Sequence, residues 1–347
     1  MRKILIVLFA ILEFMLSARL ACAGDVAANT PPLPVNNPFY VWLGGSYQSI
    51  ALPTYNLGFI GIDASIHNLG AVQTYSPRPT GSGVSGGIGY AFTNFTRFEI
   101  AGSYVKATSS AAGSTSISNN FADLYGIGGG FLVSGPPCLN PGSPCQFSSS
   151  LNTSYAAWQI SAKVAADFKN GPATITPFLT IFGGHTHDDQ SLSQELIDTV
   201  AFAGTGTYTA NTVLGWTDFG AALGLHAGAN IAPWIAVGAG GSVGVADRTV
   251  SLSGSDSASV FQYGAFTSSI STFGSTTPVL ANAETDVTIR LWQGVALKTF
   301  VGLNYDSGVP GIVAPGPSSV APFSTPTGIT YQHETSYYTG GLLKVLF

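Results

Sequence analysis

The sequence predicts an all-β fold: an antiparallel up-and-down barrel of about ten strands that crosses a membrane. Three observations predict it. Charged residues are only 8 % of the chain, while Gly is 43 of 347 residues and aromatics are 12 %. Apolar and polar residues alternate with period two in segment after segment. Short and long connections between those segments alternate strictly, as expected of a membrane barrel with short turns at one end and long loops at the other. The same composition argues against a soluble helical enzyme, which needs a charged outer face and few glycines. It also argues against a disordered chain, given the aromatic content. With 12 Lys+Arg against 17 Asp+Glu there is no basic footprint for nucleic acid.

The N-terminus reads as an export signal over residues 1–23. Arg2 and Lys3 precede the apolar run Ile4–Leu12, and Ala21-Cys22-Ala23 forms a small-residue cleavage site. Even extended to Leu16 the run is too short for a spanning helix, which needs about 20 residues, and it then contains Glu13. Residues 24–38, with Pro31, Pro32, Pro34 and Pro38, read as an extended periplasmic leader. The barrel is expected over 39–347. Removal of the signal leaves Cys138 and Cys145, seven positions apart in a Pro-rich stretch. In an exported chain such a pair reads as a loop disulfide.

Ten strands are expected, at about 39–50, 82–93, 95–106, 153–168, 173–184, 212–229, 233–248, 283–294, 296–306 and 331–347. Ile175, Leu179 and Ile181 alternate with Thr174, Thr176 and Thr180. Val287, Ile289 and Leu291 alternate with Asp286, Thr288 and Arg290. Phe219–Ala246 carries no charge, but its glycines and Pro233 fit two strands around the turn Asn230–Pro233 better than a helix. The segments 51–81, 107–152, 185–211, 249–282 and 307–330 are expected to be long polar loops. An extra hairpin within Phe121–Val133 would raise the count to twelve. Closure is demanded because lipid offers no partner for an unpaired backbone group at a sheet edge.

The chain ends Tyr337-Tyr338-Thr339-Gly340-Gly341-Leu342-Leu343-Lys344-Val345-Leu346-Phe347. Tyr337, Leu343, Val345 and Phe347 share one face. This resembles the terminal strand of bacterial outer-membrane β-barrel proteins, in the style of small opacity and surface-antigen barrels or autotransporter barrels, with no specific subfamily. The resemblance implies a bacterial outer-membrane location, lipid as surroundings, and recognition by the barrel-assembly machinery through Phe347.

Strand parity sends Arg97, Glu99, Lys163, Asp167, Asp218, His226, Arg248, Asp286, Arg290, Lys298 and Lys344 to the lumen. About ten strands enclose little room, so these charges are expected to pair and fill it. A narrow solute path is the competing reading. The sharpest cluster for chemistry is His185-Thr186-His187-Asp188-Asp189, just past the strand end expected at Gly184. His185 and His187 share a face and could hold a metal. Histidine and aspartate at the rim of ten strands also resemble the omptin surface proteases, which need further carboxylates; Asp63 and Asp306 are scattered candidates without a family motif. His333-Glu334-Thr335-Ser336 is too loose for a barrel phospholipase. Gly126–Gly130 lacks the Lys of a P-loop. Trp42, Trp158, Trp216, Trp234 and Trp292 suit aromatic belts or lumen filling. The expectation is therefore a non-enzymatic surface protein displaying long external loops, with no catalytic, cofactor or metal residues and no nucleic-acid partner. The alternatives are a narrow channel and a rim protease.

Overall fold

The computed structural model describes residues 39–61, 68–93, 95–117, 120–124, 133–138, 145–197, 205–260, 264–313 and 328–347. The expected signal peptide and leader lie outside them, as do Asp63 and Gly126–Gly130. The described residues hold sixteen strands. In chain order these are β1 (Phe39–Ser49), β2 (Tyr55–Gly61), β3 (Asn68–Tyr75), β4 (Thr80–Ala91), β5 (Thr96–Ile117), β6 (Asn120–Leu124), β7 (Val133–Cys138) and β8 (Cys145–Ala166). Then come β9 (Phe168–Asn170), β10 (Ala173–Ile197), β11 (Thr205–Ala232), β12 (Ile235–Val260), β13 (Gly264–Thr276), β14 (Val279–Trp292), β15 (Val295–Val313) and β16 (Gly328–Leu346).

Ten of them close a ring in the order β1-β4-β5-β8-β10-β11-β12-β14-β15-β16, and β16 pairs back onto β1. Every pairing is antiparallel, and the wall closes without a free edge, with bulges only near Asn230, Arg290 and Asp306 among these pairings. The expected count of ten therefore holds. The possible extra hairpin exists as β6 and β7, but these join β2 and β3 in a separate four-stranded sheet instead of entering the ring.

Both chain ends of the ring meet at the short-turn end, where the Phe347 amide donates to the Phe39 carbonyl at 2.9 Å. Gly171 and Gly294 sit in two of the tight turns with φ of +57° and +81°, a region that L side chains rarely adopt. The outer surface of the ring is an apolar belt. Ile100, Ile160, Ile181, Phe219, Leu223, Val243 and Val301 are all exposed on it. A shallow concavity of about 690 Å³ on this face is lined by residues such as Val41, Ile88 and Val345. Such a surface suits lipid and would be costly in water.

The opposite end departs from expectation. The regions read as polar loops are largely strand: β5 runs to Ile117, β8 starts at Cys145, β10 reaches Ile197, β11 starts at Thr205 and β12 reaches Val260. The alternation persists there, but the large apolar side chains now point inward, among buried polar residues such as Asp188, Gln190, Gln194 and Asp256. Phe147, Leu151, Leu192, Leu196, Tyr208, Leu214, Trp216, Val250 and Leu252 point inward and form one buried cluster with Tyr55 and Ile312. Ser and Thr occupy the outward positions. Pairing continues because hydroxyl side chains are good β formers on a solvated face. Cys145 is buried in this cluster and disulfide-bonded, and its expected partner Cys138 ends β7.

Candidate functional site

The lumen is built from inward positions at two levels. At the short-turn end, Arg97 pairs with Asp167, whose other oxygen accepts from Thr176 at 2.7 Å. Lys163 pairs with Glu99 at 2.8 Å, and the Tyr40 hydroxyl donates to the same carboxylate at 2.9 Å. Lys344 lies 3.7 Å over the Tyr40 ring. Across the lumen, His226 meets Asp286 at 2.7 Å, while Lys298 reaches Glu284 at 2.7 Å and Asp286 at 3.5 Å. Tyr338 donates to Glu284 at 3.1 Å. Small residues make room: a Cβ at Gly238 would meet the His226 ring and one at Gly89 the Tyr40 ring.

The second level is a single guanidinium. Arg248 donates through Nε and Nη2 to Asp218 at 2.6 and 2.8 Å, pairs with Asp306 at 2.8 Å, and donates to the Gly308 carbonyl at 2.8 Å. Its side chain is 2 % exposed, and it lies 5.7 Å from the Trp216 ring. Directly above begins the apolar cluster of the extension.

Nearly all the residues assigned to the lumen by parity are thus in it and paired. Arg290 is the correction. It sits where the wall ends, is exposed, and donates to the Pro233 carbonyl and the Asn230 side chain of the neighbouring turn. At the rim of the wall its long side chain finds nearer acceptors than the lumen offers. Sequence reasoning missed Glu284, Tyr40 and Tyr338 as lumen residues. Glu284 lies two positions before Asp286, so the same parity points to it. Asp306, read as a stray rim carboxylate, is a ligand of Arg248.

The His185–Asp189 cluster does not lie past a strand end; it is in the middle of β10. Its residues therefore alternate between faces. His185 is outward and its Nδ1 contacts Thr217 Oγ1 at 3.0 Å. His187 is outward and pairs with Asp189 at 2.9 Å. The histidines share a face, as expected, but each imidazole has its own partner. Among the described residues no group of three or more His, Cys, Asp or Glu could hold a metal ion. Asp188 points the other way, into the extension, and is 1 % exposed. Gln190 Nε2 donates to it and to the Tyr55 hydroxyl, both at 2.6 Å. Burial pushes the Asp188 carboxyl up to about 7. His333 and Ser336 fall on opposite faces of β16, and Ser336 Oγ accepts from the Ala51 amide at 3.0 Å. Trp158 is on the outer belt, Trp42 and Trp216 are inside, and Trp234 and Trp292 are exposed by the short turns.

No protein-family model matches the chain, and no curated protein matches it in sequence. Solved structures similar to it are bacterial outer-membrane β-barrel proteins. The outer-membrane protease OmpT from Escherichia coli is 9 % identical, with a TM-score of 0.44 over 92 % of this chain and 99 % of that one. Neisserial surface protein A is 12 % identical, with a TM-score of 0.26 over 89 % and 97 %. The translocator domain of the autotransporter NalP from Neisseria meningitidis is 11 % identical, with a TM-score of 0.32 over 98 % and 97 %. These likenesses concern the barrel architecture, and no residue role passes from them to this chain.

Proposed function

We propose that the chain is a non-enzymatic outer-membrane surface protein whose ring is a closed anchor for the β-extension, which projects outward. One observation carries this reading. The lumen is crossed by the Arg248–Asp218–Asp306 layer and then capped by the apolar cluster around Leu192, Tyr208 and Leu214. The inward side chains of that layer, apolar Leu192, Tyr208 and Leu214 with polar Asp188, Gln190 and Gln194 among them, are each almost wholly buried, and such close packing supports a closed lumen. The apolar belt supports lipid as the surroundings of the ring. Phe347, exposed at the end of β16, supports recognition by the assembly machinery.

Planar-bilayer recording tests the closed lumen. Folded chain inserted into the bilayer is expected to give no stepwise openings, and discrete conductance steps would overturn the reading in favour of a narrow channel. For a rim protease, the outward histidines and inward Asp188 give no convergent set. Peptide cleavage is expected to be absent from both the wild type and His187→Ala; cleavage lost only in the variant would establish the protease instead.

A further inference from the structure

Above the ring the wall is no longer closed. Within the ring, β14 pairs with β15 as far as Leu280 and Asp306. Beyond that point β13 takes the place of β14 beside β12, and among the described residues no strand pairs with its other edge. There β15 leaves the wall and pairs with β16 alone, from Val309 to Val313. The register row Lys106, Ala156, His187, Gly215, Ser251 and Phe273 lies at the level where β10 leaves the belt. The edge from Gly264 to Thr272 therefore stands beyond the belt. Lipid tolerates no open edge, and this one opens only where the belt has ended.

Proteins normally blunt such an edge with charge, proline or a bulge. β13 carries no Lys, Arg, Asp, Glu or Pro over Gly264–Thr276. Its register against β12 runs unshifted from Gly264 opposite Val260 to Thr276 opposite Arg248. Phe273, at the foot of the edge, is 80 % exposed, more than any other large apolar side chain described. The two faces beside the edge differ. Thr267, Ser269 and Ser271 are exposed outward. On the inward side Ile270, Ile329 and Tyr331 pack against the buried cluster. The Tyr331 hydroxyl stands close to Gly274 and is buried without a hydrogen-bond partner among the described residues.

We propose that the free edge of β13 accepts an extended segment of another protein as an added strand. The inference rests on the reading of the extension as the part that projects, and it names the kind of partner held there. Main-chain hydrogen bonds supply affinity in such an addition, and side chains of alternate parity supply specificity. β13 descends toward the ring, so an antiparallel partner runs away from the membrane. Its residues beside Ile270 are apolar, and those beside Thr267, Ser269 and Ser271 are small or hydroxylated. It is uncharged over the paired stretch, because β13 offers no counter-charge. Two copies in one membrane hold their β13 strands in the same direction, so antiparallel pairing of β13 with itself is excluded. The opposite edge of the upper sheet, β5 beyond Thr108, is backed by Gln73 and Tyr75, which a Cβ at Gly113 would meet.

The probe is a labelled synthetic peptide copying Thr249–Val260 of β12, the natural neighbour of β13, with Asp256→Asn to remove its charge. It is titrated onto the full chain in phosphatidylcholine nanodiscs. Affinity is read by fluorescence anisotropy and its place by amide hydrogen exchange. Exchange is expected to slow at least tenfold at alternate amides of Gly264–Thr272 and to stay unchanged in β14. The peptide with every second amide N-methylated is expected to bind at least tenfold more weakly. Thr267→Lys with Ser269→Lys, both exposed, is expected to lose at least fivefold of the affinity. Of Ser269→Pro and Ile270→Pro, the one whose amide faces the free edge is expected to lose at least tenfold. Equal binding of the methylated peptide, or wild-type affinity in all three variants, overturns the proposal. Protection confined to β5, or chains that associate with one another through β13 in place of the peptide, overturns the assignment of site or partner. Heat-modifiable migration is measured first: a chain without it breaks the barrel reading, whereas a chain that has it and binds no peptide breaks only this proposal.

Discussion

Below Gly184 and above it, strand β10 obeys opposite rules. In the ring, Ile175, Leu179 and Ile181 face outward and Thr176 and Thr180 inward. In the extension, Leu192 and Leu196 face inward together with buried Asp188, Gln190 and Gln194, while Asp189, Ser191 and Ser193 face outward and no large apolar side chain does so between them. The backbone geometry is the same throughout; only the solvent beyond the wall has changed. Ring and extension therefore show that a period-two pattern alone does not say which face is the core. The medium outside decides, and the strand crosses from one medium to the other where His185 and His187 stand.

The largest expected effect separates the two regions at their junction. Arg248→Ala leaves Asp218 and Asp306 without their buried counter-charge. Breaking a buried pair in this way costs about 3–5 kcal/mol. The variant is expected to lose heat-modifiable migration at a distinctly lower temperature. Arg248→Ala combined with Asp218→Asn and Asp306→Asn should recover part of it, because no uncompensated charge remains.

The next effect belongs to the extension alone and depends on pH. Burial raises the Asp188 carboxyl from its ordinary value near 3.8 to about 7. Between those values the folded chain holds a proton that the unfolded chain has released, so stability falls as pH rises and levels off above about 7. The difference is on the order of 4 kcal/mol. Protease resistance of the extension should therefore be greater at pH 4.5 than at pH 8 while the ring stays intact. Asp188→Asn should abolish that dependence, and an unchanged pH profile in the variant would show that another group carries it.

The sharpest comparison uses one substitution at two outward positions of β11. Leu223→Lys places a cation in mid-belt, which costs about 2–4 kcal/mol in a lipid-facing wall. Thr209→Lys, on the same face in the extension, should stay within about 0.5 kcal/mol. Urea unfolding in lipid vesicles reads both. Equal costs would mean that the two regions face the same medium.

Much of the ring is legible in the residues. Asp286 and Arg248 fall inward with their partners, and Leu223 and Val243 fall outward, because lipid tolerates almost no charge and parity does the rest. Asp306 was harder to place, since its partner Arg248 lies 58 positions away in sequence and only the closed wall brings the two together. The extension was harder still. Segments such as Ser148–Ser154 and Asp189–Ser193 look like loops by composition, because Ser and Asn favour turns as readily as they cover a strand. Nothing local distinguishes the two. The inward Phe147, Leu151 and Leu192 form a core only once β8, β10, β11 and β12, with Tyr55 and Ile312, converge on it.

By itself, the sequence determined the all-β class, the ten-strand ring, the short-turn end and the side on which the lumen charges fall. These follow from constraints that act on each strand separately: low charge, period two and the need to close an edge in lipid. Tertiary structure alone decided that much of the expected loops is strand, that His185 and Asp188 face opposite sides of it, and that a buried cluster lies beyond Arg248. Those depend on which distant strands lie side by side, and no single strand carries that information.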